Sequence, residues 1–269
     1  MVMPFADLAL ARRLELAEAT GNVRAVEARA RLFPDAGATW TEVAGARAMF
    51  DTPESPITQT FCLGMFQAPT SDDLAALEAF YAERSAPVYH EVSPLADPAV
   101  VPLLNERGYR VLEFTSVMYR PIVTDAAAFA VAPPGLRVRR IAAGEEDLYA
   151  RTAAAGWSEF GHGDFMRDMA RVGAATDGGH LFLAELDGQP IATAALNVHG
   201  GVAHLAGAST VPEGRKRGAQ NALLETRLRF AAEHGCDLAL MGALPGSGSQ
   251  RNAERHGFRI AYTRIKWKR

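Results

Sequence analysis

The segment Thr210-Val211-Pro212-Glu213-Gly214-Arg215-Lys216-Arg217-Gly218-Ala219-Gln220-Asn221-Ala222-Leu223-Leu224 joins an extended apolar run to a run with helical spacing, through a turn rich in glycine and positive charge. The first amides of a helix have no intrahelical partner and the dipole is positive at that end, so a helix that starts near Gly218 offers N–H groups to an anion. Arg217, Gly218, Ala219 and Gln220 supply those amides, Gly218 lets a phosphate approach closely, and Arg215, Lys216 and Arg217 add positive charge. The dipole itself contributes only about 0.3 to 1 kcal/mol at an exposed site, so amide geometry should matter more than net charge. A pyrophosphate suits this arrangement; a solvated basic turn that merely caps a helix is the plain alternative. A second group of reactive types, Trp157-Ser158-Glu159-Phe160-Gly161-His162-Gly163-Asp164, mixes aromatic, acidic and imidazole side chains. It could define a cation-selective pocket, while Glu159, His162 and Asp164 serve equally well as loop caps.

The elements that hold these groups follow from hydrophobic periodicity and turn chemistry. In the second half, residues 136–141 read as a strand, 145–155 and 165–174 as helices, and 180–186 with 189–198 as a hairpin about Asp187-Gly188, a pair suited to a type I′ turn. Gly200-Gly201 turns the chain into a strand over 202–210; a helix over 218–234 ends at Gly235, a buried strand covers 238–243, and 250–256 forms a short helix. In the first half, strand-like runs 39–50 and 57–66 precede a helix opened by Ser71 and Asp72, with a strand over 88–92 after it. The two halves end alike. Asn105-Glu106-Arg107-Gly108-Tyr109-Arg110 runs into Phe114-Thr115-Ser116-Val117-Met118-Tyr119-Arg120, and Ala253-Glu254-Arg255-His256-Gly257-Phe258-Arg259 into Tyr262-Thr263-Arg264-Ile265-Lys266-Trp267-Lys268, with one gapped residue. That is the trace a duplicated domain leaves. Pro133-Pro134-Gly135 punctuates a weakly periodic stretch, so the domains are expected at 1–122 and 136–269 with a linker over 123–135.

The basic turn resembles the acyl-CoA loop of the GNAT acetyltransferase superfamily, in which Arg or Gln is followed by two variable residues, Gly, one variable residue and Gly or Ala. Arg215 and Gly218 match it, Pro212 stands where the family often has proline after its fourth strand, and Asn252 with Gly257-Phe258 resembles a later family signature. The resemblance runs from about Leu136 to Trp267 and departs at two places: Gln220 fills the final small-residue position, and Ala253 stands where a tyrosine commonly protonates the leaving thiolate. It implies an α+β fold of two tandem GNAT-like domains, each a mixed, largely antiparallel sheet flanked by helices. It further implies acetyl-CoA as acyl donor, held by Ala208, Ser209, Thr210, Arg215, Lys216, Arg217, Gly218, Ala219, Gln220 and Asn252, with no metal.

By the same resemblance the pantetheine adds as a pseudo-strand along Ala208-Ser209-Thr210, Gly207 makes a bulge that turns an amide toward the acyl carbonyl, and the Trp157–Asp164 segment borders the acceptor pocket. The attacking amine must lose a proton, and His204, eleven residues before Arg215, is the expected base. Tyr262 or Ser249 would replace the missing tyrosine as acid. The first half has Gly64-Met65-Phe66-Gln67-Ala68-Pro69-Thr70-Ser71-Asp72-Asp73 where the loop should be, and two aspartates there would compete with a phosphate for the same amides, so the first half is read as a degenerate copy. The expected activity is direct transfer of an acetyl group to the amine of a small molecule; a non-catalytic acyl-CoA sensor and a dimerisation scaffold are the competing readings.

Composition excludes several other classes. Of 269 residues, 48% are hydrophobic and 22% charged, a balance suited to a globular chain rather than a disordered one. A net charge of -3 leaves no overall attraction to nucleic acid or to an anionic membrane. Cys62 and Cys236 are far apart with no CxxC pair, so neither a zinc site nor a disulfide framework is indicated. The N-terminus has no signal-peptide pattern and no apolar run reaches the ~18 residues of a membrane span, so a cytoplasmic protein is expected, with a homodimer left open. Arginine in place of lysine and abundant alanine suggest a GC-rich bacterial source.

Overall fold

The computed structural model describes residues 3–123, 132–157 and 163–269. Its first elements are helix α1 (Leu8–Leu32), strands β1 (Thr39–Val43), β2 (Ala46–Phe50) and β3 (Gln59–Phe61), helix α2 (Ser71–Ala82), strand β4 (Tyr89–Val92), helix α3 (Val100–Glu106) and strand β5 (Arg110–Pro121). There follow β6 (Leu136–Arg140), α4 (Glu146–Trp157), α5 (Gly163–Ala175), β7 (Gly179–Leu186), β8 (Gln189–His199) and β9 (Val202–Thr210). The chain closes with α6 (Ala219–Glu233), β10 (Leu238–Ala243), α7 (Gly248–Arg255) and β11 (Arg259–Lys268). No helix among the described residues is long and apolar enough to cross a membrane.

The chain divides into two compact units, one of Met1–Arg120 with Gly242–Arg269 and one of Pro121–Met241. The sequence groups residues 136–269 together; here α7 and β11 go with the first unit, because β11 finds its ladder partners in β4 and β5. In the first unit the strand order is β1-β2-β3-β4-β11-β5, antiparallel throughout except for the β3–β4 pair. In the second it is β10-β9-β8-β7-β6, antiparallel except for β9–β10. Each unit thus has one parallel pair, and a helix must cross between parallel neighbours: α2 joins β3 to β4, and α6 joins β9 to β10. The matching tails of the sequence become α3–β5 and α7–β11, and the two tail strands pair with each other, Thr263 opposite Ser116 and Arg264 opposite Thr115.

Helix α1 is absent from the sequence reading, although its buried Leu10, Leu14, Ala17 and Gly21 recur at helical spacing and Asp7 caps it, its carboxylate accepting from the Leu10 amide at 2.9 Å. The run 39–50 proves to be a hairpin, folded over Ala44 and Gly45 with φ of 49° and 76°. The run 57–66 shrinks to the three residues of β3, because Cys62 and Gly64 turn left-handed at 65° and 74°. Asp187 and Gly188 take the positive φ values, 50° and 80°, that a type I′ turn requires. The first unit's core gathers Leu74, Leu77 and Tyr81 of α2 with Leu104 of α3 and Trp267 of β11; the second unit's includes Tyr149, Ala150 and Ala153 of α4 with Leu181 and Leu183 of β7.

Candidate functional site

Strand β9 leaves its parallel neighbour early. The β9–β10 ladder pairs Val202, Ala203 and His204 with Leu238, Ala239 and Leu240, while β9 itself continues to Thr210 alongside β8. Beyond His204 the β10-facing edge of β9 therefore lies outside that ladder. Three residues on, β9 is broken by a bulge: Ser209 pairs with Thr193 and Ala206 with Ala195, so Gly207 and Ala208 together oppose Ala194 alone. Gly207 has φ 57°, a conformation that glycine adopts without penalty, and both Gly207 and Ala208 are exposed. The glycine singled out in the sequence as a bulge former does form one.

After Thr210 the chain makes a tight 3-10 turn, Pro212–Gly214, held to β8 by the Val211 amide donating to the Ile191 carbonyl at 2.9 Å. A Cβ on Gly214 would lie 2.7 Å from the Ile191 Cβ, so only glycine fits there. Lys216 at φ 62° and Gly218 at φ 80° then curl the chain into α6. Gly218 is the N-cap residue, no side chain caps the helix through a hydrogen bond, and its first turn carries no acid. Arg215, Lys216 and Arg217 are exposed around this helix start. The sequence predicts amides presented by an uncapped, basic helix end, and the local geometry is of that kind. Gln220 is half-buried: its side-chain amide donates to the Ser209 carbonyl at 2.9 Å and to the Thr210 hydroxyl at 2.8 Å, tying the loop back to β9.

The corresponding helix of the first unit is built the other way. Thr70 accepts from the Asp73 amide at 3.2 Å while the Asp73 carboxylate accepts from the Thr70 amide at 2.8 Å, a capping box that closes the start of α2, and Asp72 and Asp73 lie in its first turn. These bonds hold the Asp73 carboxyl below the usual range.

Behind β9 lies a polar layer that sequence reasoning missed. The Ser209 hydroxyl meets Thr193 Oγ1 at 2.9 Å and donates to the Ala153 carbonyl at 3.3 Å, so the Ser209 side chain faces inward. Helix α4 passes so close that a Cβ on Gly156 would sit 2.6 Å from Ser209 Oγ and 3.0 Å from the Thr210 nitrogen. Arg227 of α6, 4% exposed, sends Nη1 to the carbonyls of Ala195 at 2.9 Å and Ala206 at 3.4 Å, and Nε to its own helix at Leu223 O, 3.2 Å. Burial pulls its pKa down to about 10, opposed by the nearby Tyr149. Nothing local marks this arginine in the sequence, where it reads as one charge on a helix face.

His204 is buried in β9 at the last rung of the β9–β10 ladder, across from Asn197 on β8. The segment Trp157–Asp164 lies outside the described residues but for Trp157, which ends α4, and the start of α5. Asn252 and the exposed Ser249 are on α7, and Tyr262 on β11, all in the first unit. Tyr262 is enclosed in a charged cluster: its hydroxyl donates to Glu15 at 2.8 Å, and Arg264 beside it reaches Glu15 at 3.3 Å, Glu18 at 2.8 Å and Glu91 at 3.0 Å, with Lys266 on Glu91 at 3.1 Å. Desolvation, followed by the charge of Glu15, raises the Tyr262 phenol well above its ordinary pKa. Desolvation also lifts Glu15 to about 7 against the pull of Arg264. The cluster joins residues up to 249 positions apart, so no local pattern announces it. No group of three or more His, Cys, Asp or Glu side chains suited to a metal ion occurs among the described residues.

A mixed sheet with one parallel pair parting beyond a few rungs, a bulged strand at the parting and a basic helix start with no side-chain cap after it are the features that define the second unit. Residues 120–247 match the family model described as an acetyltransferase (GNAT) domain. Solved structures share the fold. A GCN5-related N-acetyltransferase from Kribbella flavida superposes with a TM-score of 0.70 at 20% identity, covering 96% of this chain and 95% of that one. A tandem GNAT protein from the clavulanic acid biosynthesis pathway gives 0.61 at 13% identity over 84% of this chain and 78% of its own. A GCN5-related N-acetyltransferase from Sphaerobacter thermophilus gives 0.54 at 15% identity, over 78% and 71%. No curated protein matches the sequence.

Proposed function

We propose that this protein is an N-acetyltransferase that binds acetyl-CoA in its second unit and passes the acetyl group directly to the amine of a small molecule within a ternary complex. The observation that carries this reading is the start of α6: left-handed at Gly218, free of any side-chain cap hydrogen bond and flanked by exposed basic residues. There the amides of the first turn take the diphosphate. The pantetheine runs along the edge of β9 that parts from β10, and the thioester comes to rest beside Gly207 and Ala208. An amide freed by the bulge donates to the carbonyl oxygen as negative charge develops on it. The amine lone pair forms the C–N bond, the C–S bond breaks, and the thiolate leaves to take up a proton. His204, at the last rung before the strands part, is the base that accepts the amine proton, through water. The first unit holds no CoA in this reading, because the capping box of Thr70 and Asp73 already occupies the helix start that would receive the phosphates.

Calorimetry with acetyl-CoA tests the loop: about one equivalent should bind per chain. Thiol release over a panel of primary amines tests the transfer, and His204→Gln should lower turnover by roughly a hundredfold or more while acetyl-CoA affinity holds. Turnover that survives this change would remove the base assignment alone. The commitment of the Tyr262 hydroxyl to Glu15, together with Ala253 at the family's acid position, favours a second reading as a non-catalytic acyl-CoA sensor. Stoichiometric binding without thiol release on any amine would select it.

A further inference from the structure

A bulge solves one problem for a site and creates another. It removes one residue from the ladder and exposes an amide, but it also disrupts the bonding of the carbonyls that flank it, inside the sheet and away from water. At the β9 bulge those flanking residues are Ala206 and its partner Ala195, and Arg227 Nη1 reaches both carbonyls, at 3.4 and 2.9 Å. Its Nε bond to Leu223 O fixes the guanidinium against its own helix, so the fork is held rigid from behind. Among the described residues the contacts of this buried side chain are backbone carbonyls and no carboxylate, with Tyr149, a phenol that burial keeps neutral, nearby. A neutral donor could have satisfied two carbonyls. Burying an unneutralised cation here is costly, and it places positive charge just behind the segment whose front faces the thioester.

We infer that Arg227 is a positioning residue for acyl transfer: by clamping the Ala195 and Ala206 carbonyls it fixes the bulge at Gly207, so that the freed amide stays aimed at the thioester oxygen. This rests on the acetyl-CoA assignment of the second unit. Arg227 touches no substrate; it acts through the backbone of β9, and its positive charge strengthens the polarisation of the donor it orients.

The test reads the carbonyl itself. With acetyl-CoA labelled with carbon-13 at the thioester carbon, infrared difference spectra of the wild-type complex should show the carbonyl stretch moved to lower wavenumber than in water. In Arg227→Met most of that shift should vanish, and in Arg227→Lys, which keeps charge but not the planar fork, the shift should lie between the two. Turnover on the best amine of the panel should fall roughly tenfold to a hundredfold in Arg227→Met, less than the roughly 10²–10³ that follows outright loss of an oxyanion donor. Affinity for CoA lacking the acetyl group should stay within about threefold, since the phosphate contacts lie elsewhere, at α6. A role confined to stability would lower the melting midpoint and leave the carbonyl frequency of the bound thioester unchanged. An unaltered shift in either variant therefore overturns the inference while leaving the functional reading intact, and Arg227→Lys supplies the answer if Arg227→Met does not fold. Failure of the wild-type protein to bind acetyl-CoA brings down the functional reading and the inference together.

Discussion

Replacing Gly218 tests the proposed diphosphate site where the chain turns into α6. The residue sits at φ 80° and ψ 2°, and an added Cβ would come no closer than 3.4 Å, an ordinary contact, to Pro133 Cγ. Space is therefore not the obstacle, and Gly218→Ala carries mainly the penalty of a left-handed L-residue, about 1 to 2 kcal/mol. If the free loop relaxes that strain by leaving the bound geometry, binding must restore it, and acetyl-CoA affinity drops by a factor of roughly 5 to 30. Gly218→Asp adds two effects. Its carboxylate caps the α6 amides itself, which a phosphate must then displace against about 1 kcal/mol, and it repels the nearest phosphate charge by about 1 kcal/mol at ~4 Å even in water. The sum, about 3 to 4 kcal/mol, corresponds to a loss of roughly 10²- to 10³-fold. Isothermal calorimetry at fixed ionic strength measures all three proteins, and circular dichroism checks that α6 is intact. An affinity of Gly218→Asp within about threefold of wild type would refute the claim that these amides grip the diphosphate, whatever Gly218→Ala does.

Three other outcomes are expected. Glu15 has a folded pKa of about 7 against an ordinary 4.5, so the folded state keeps a proton that the unfolded chain has lost; the stability this contributes is complete below pH ~4.5 and disappears as pH rises to ~7, a change of 7 − 4.5 = 2.5 units or about 3 kcal/mol. Urea unfolding at intervals from pH 5 to 8 should show Glu15→Gln gaining on wild type across that window; since His90, pressed down to about 3 by burial, gives an opposite slope, the difference between the two proteins is the readout, and a flat difference would contradict the assignment. Thr70→Ala should destabilise the first unit by about 1 kcal/mol through loss of its cap while acetyl-CoA affinity stays unchanged; a second equivalent of bound cofactor would instead mean that opening this helix start uncovers a phosphate site. Gly156→Ala drives a methyl to within 2.6 Å of Ser209 Oγ and 3.0 Å of the Thr210 nitrogen, so overpacking of about 1 to 3 kcal/mol should lower the melting midpoint and, by moving the end of β9, weaken acetyl-CoA binding in calorimetry.

Much of the candidate site's local geometry was legible in the residues because its parts are local in sequence. A bulge needs a glycine within one strand, a helix start is set by a few consecutive residues, and a type I′ turn needs two positive φ values side by side; Gly207, Gly218 and Asp187-Gly188 announced each of these. The matching tails likewise foretold α3–β5 and α7–β11, since a repeated pattern of helix, glycine turn and alternating strand folds to a repeated element. Gln220 was legible only as a departure: that its amide would turn back to Ser209 and Thr210 depends on where β9 ends relative to α6.

What the sequence determined by itself, then, is most of the elements of the second half, the repeated tails and the basic character of one helix end. Which unit the last strand joins was decided by tertiary structure alone, because β11 carries an alternation that suits many neighbours and it is the open edges of β4 and β5 that claim it. So were the enclosure of Tyr262 by Glu15 and Arg264 and the clamp of Arg227 on two strands. A charge is costly to bury until a partner is beside it, and such partners come from segments tens to hundreds of residues away, brought together by packing rather than by spacing along the chain.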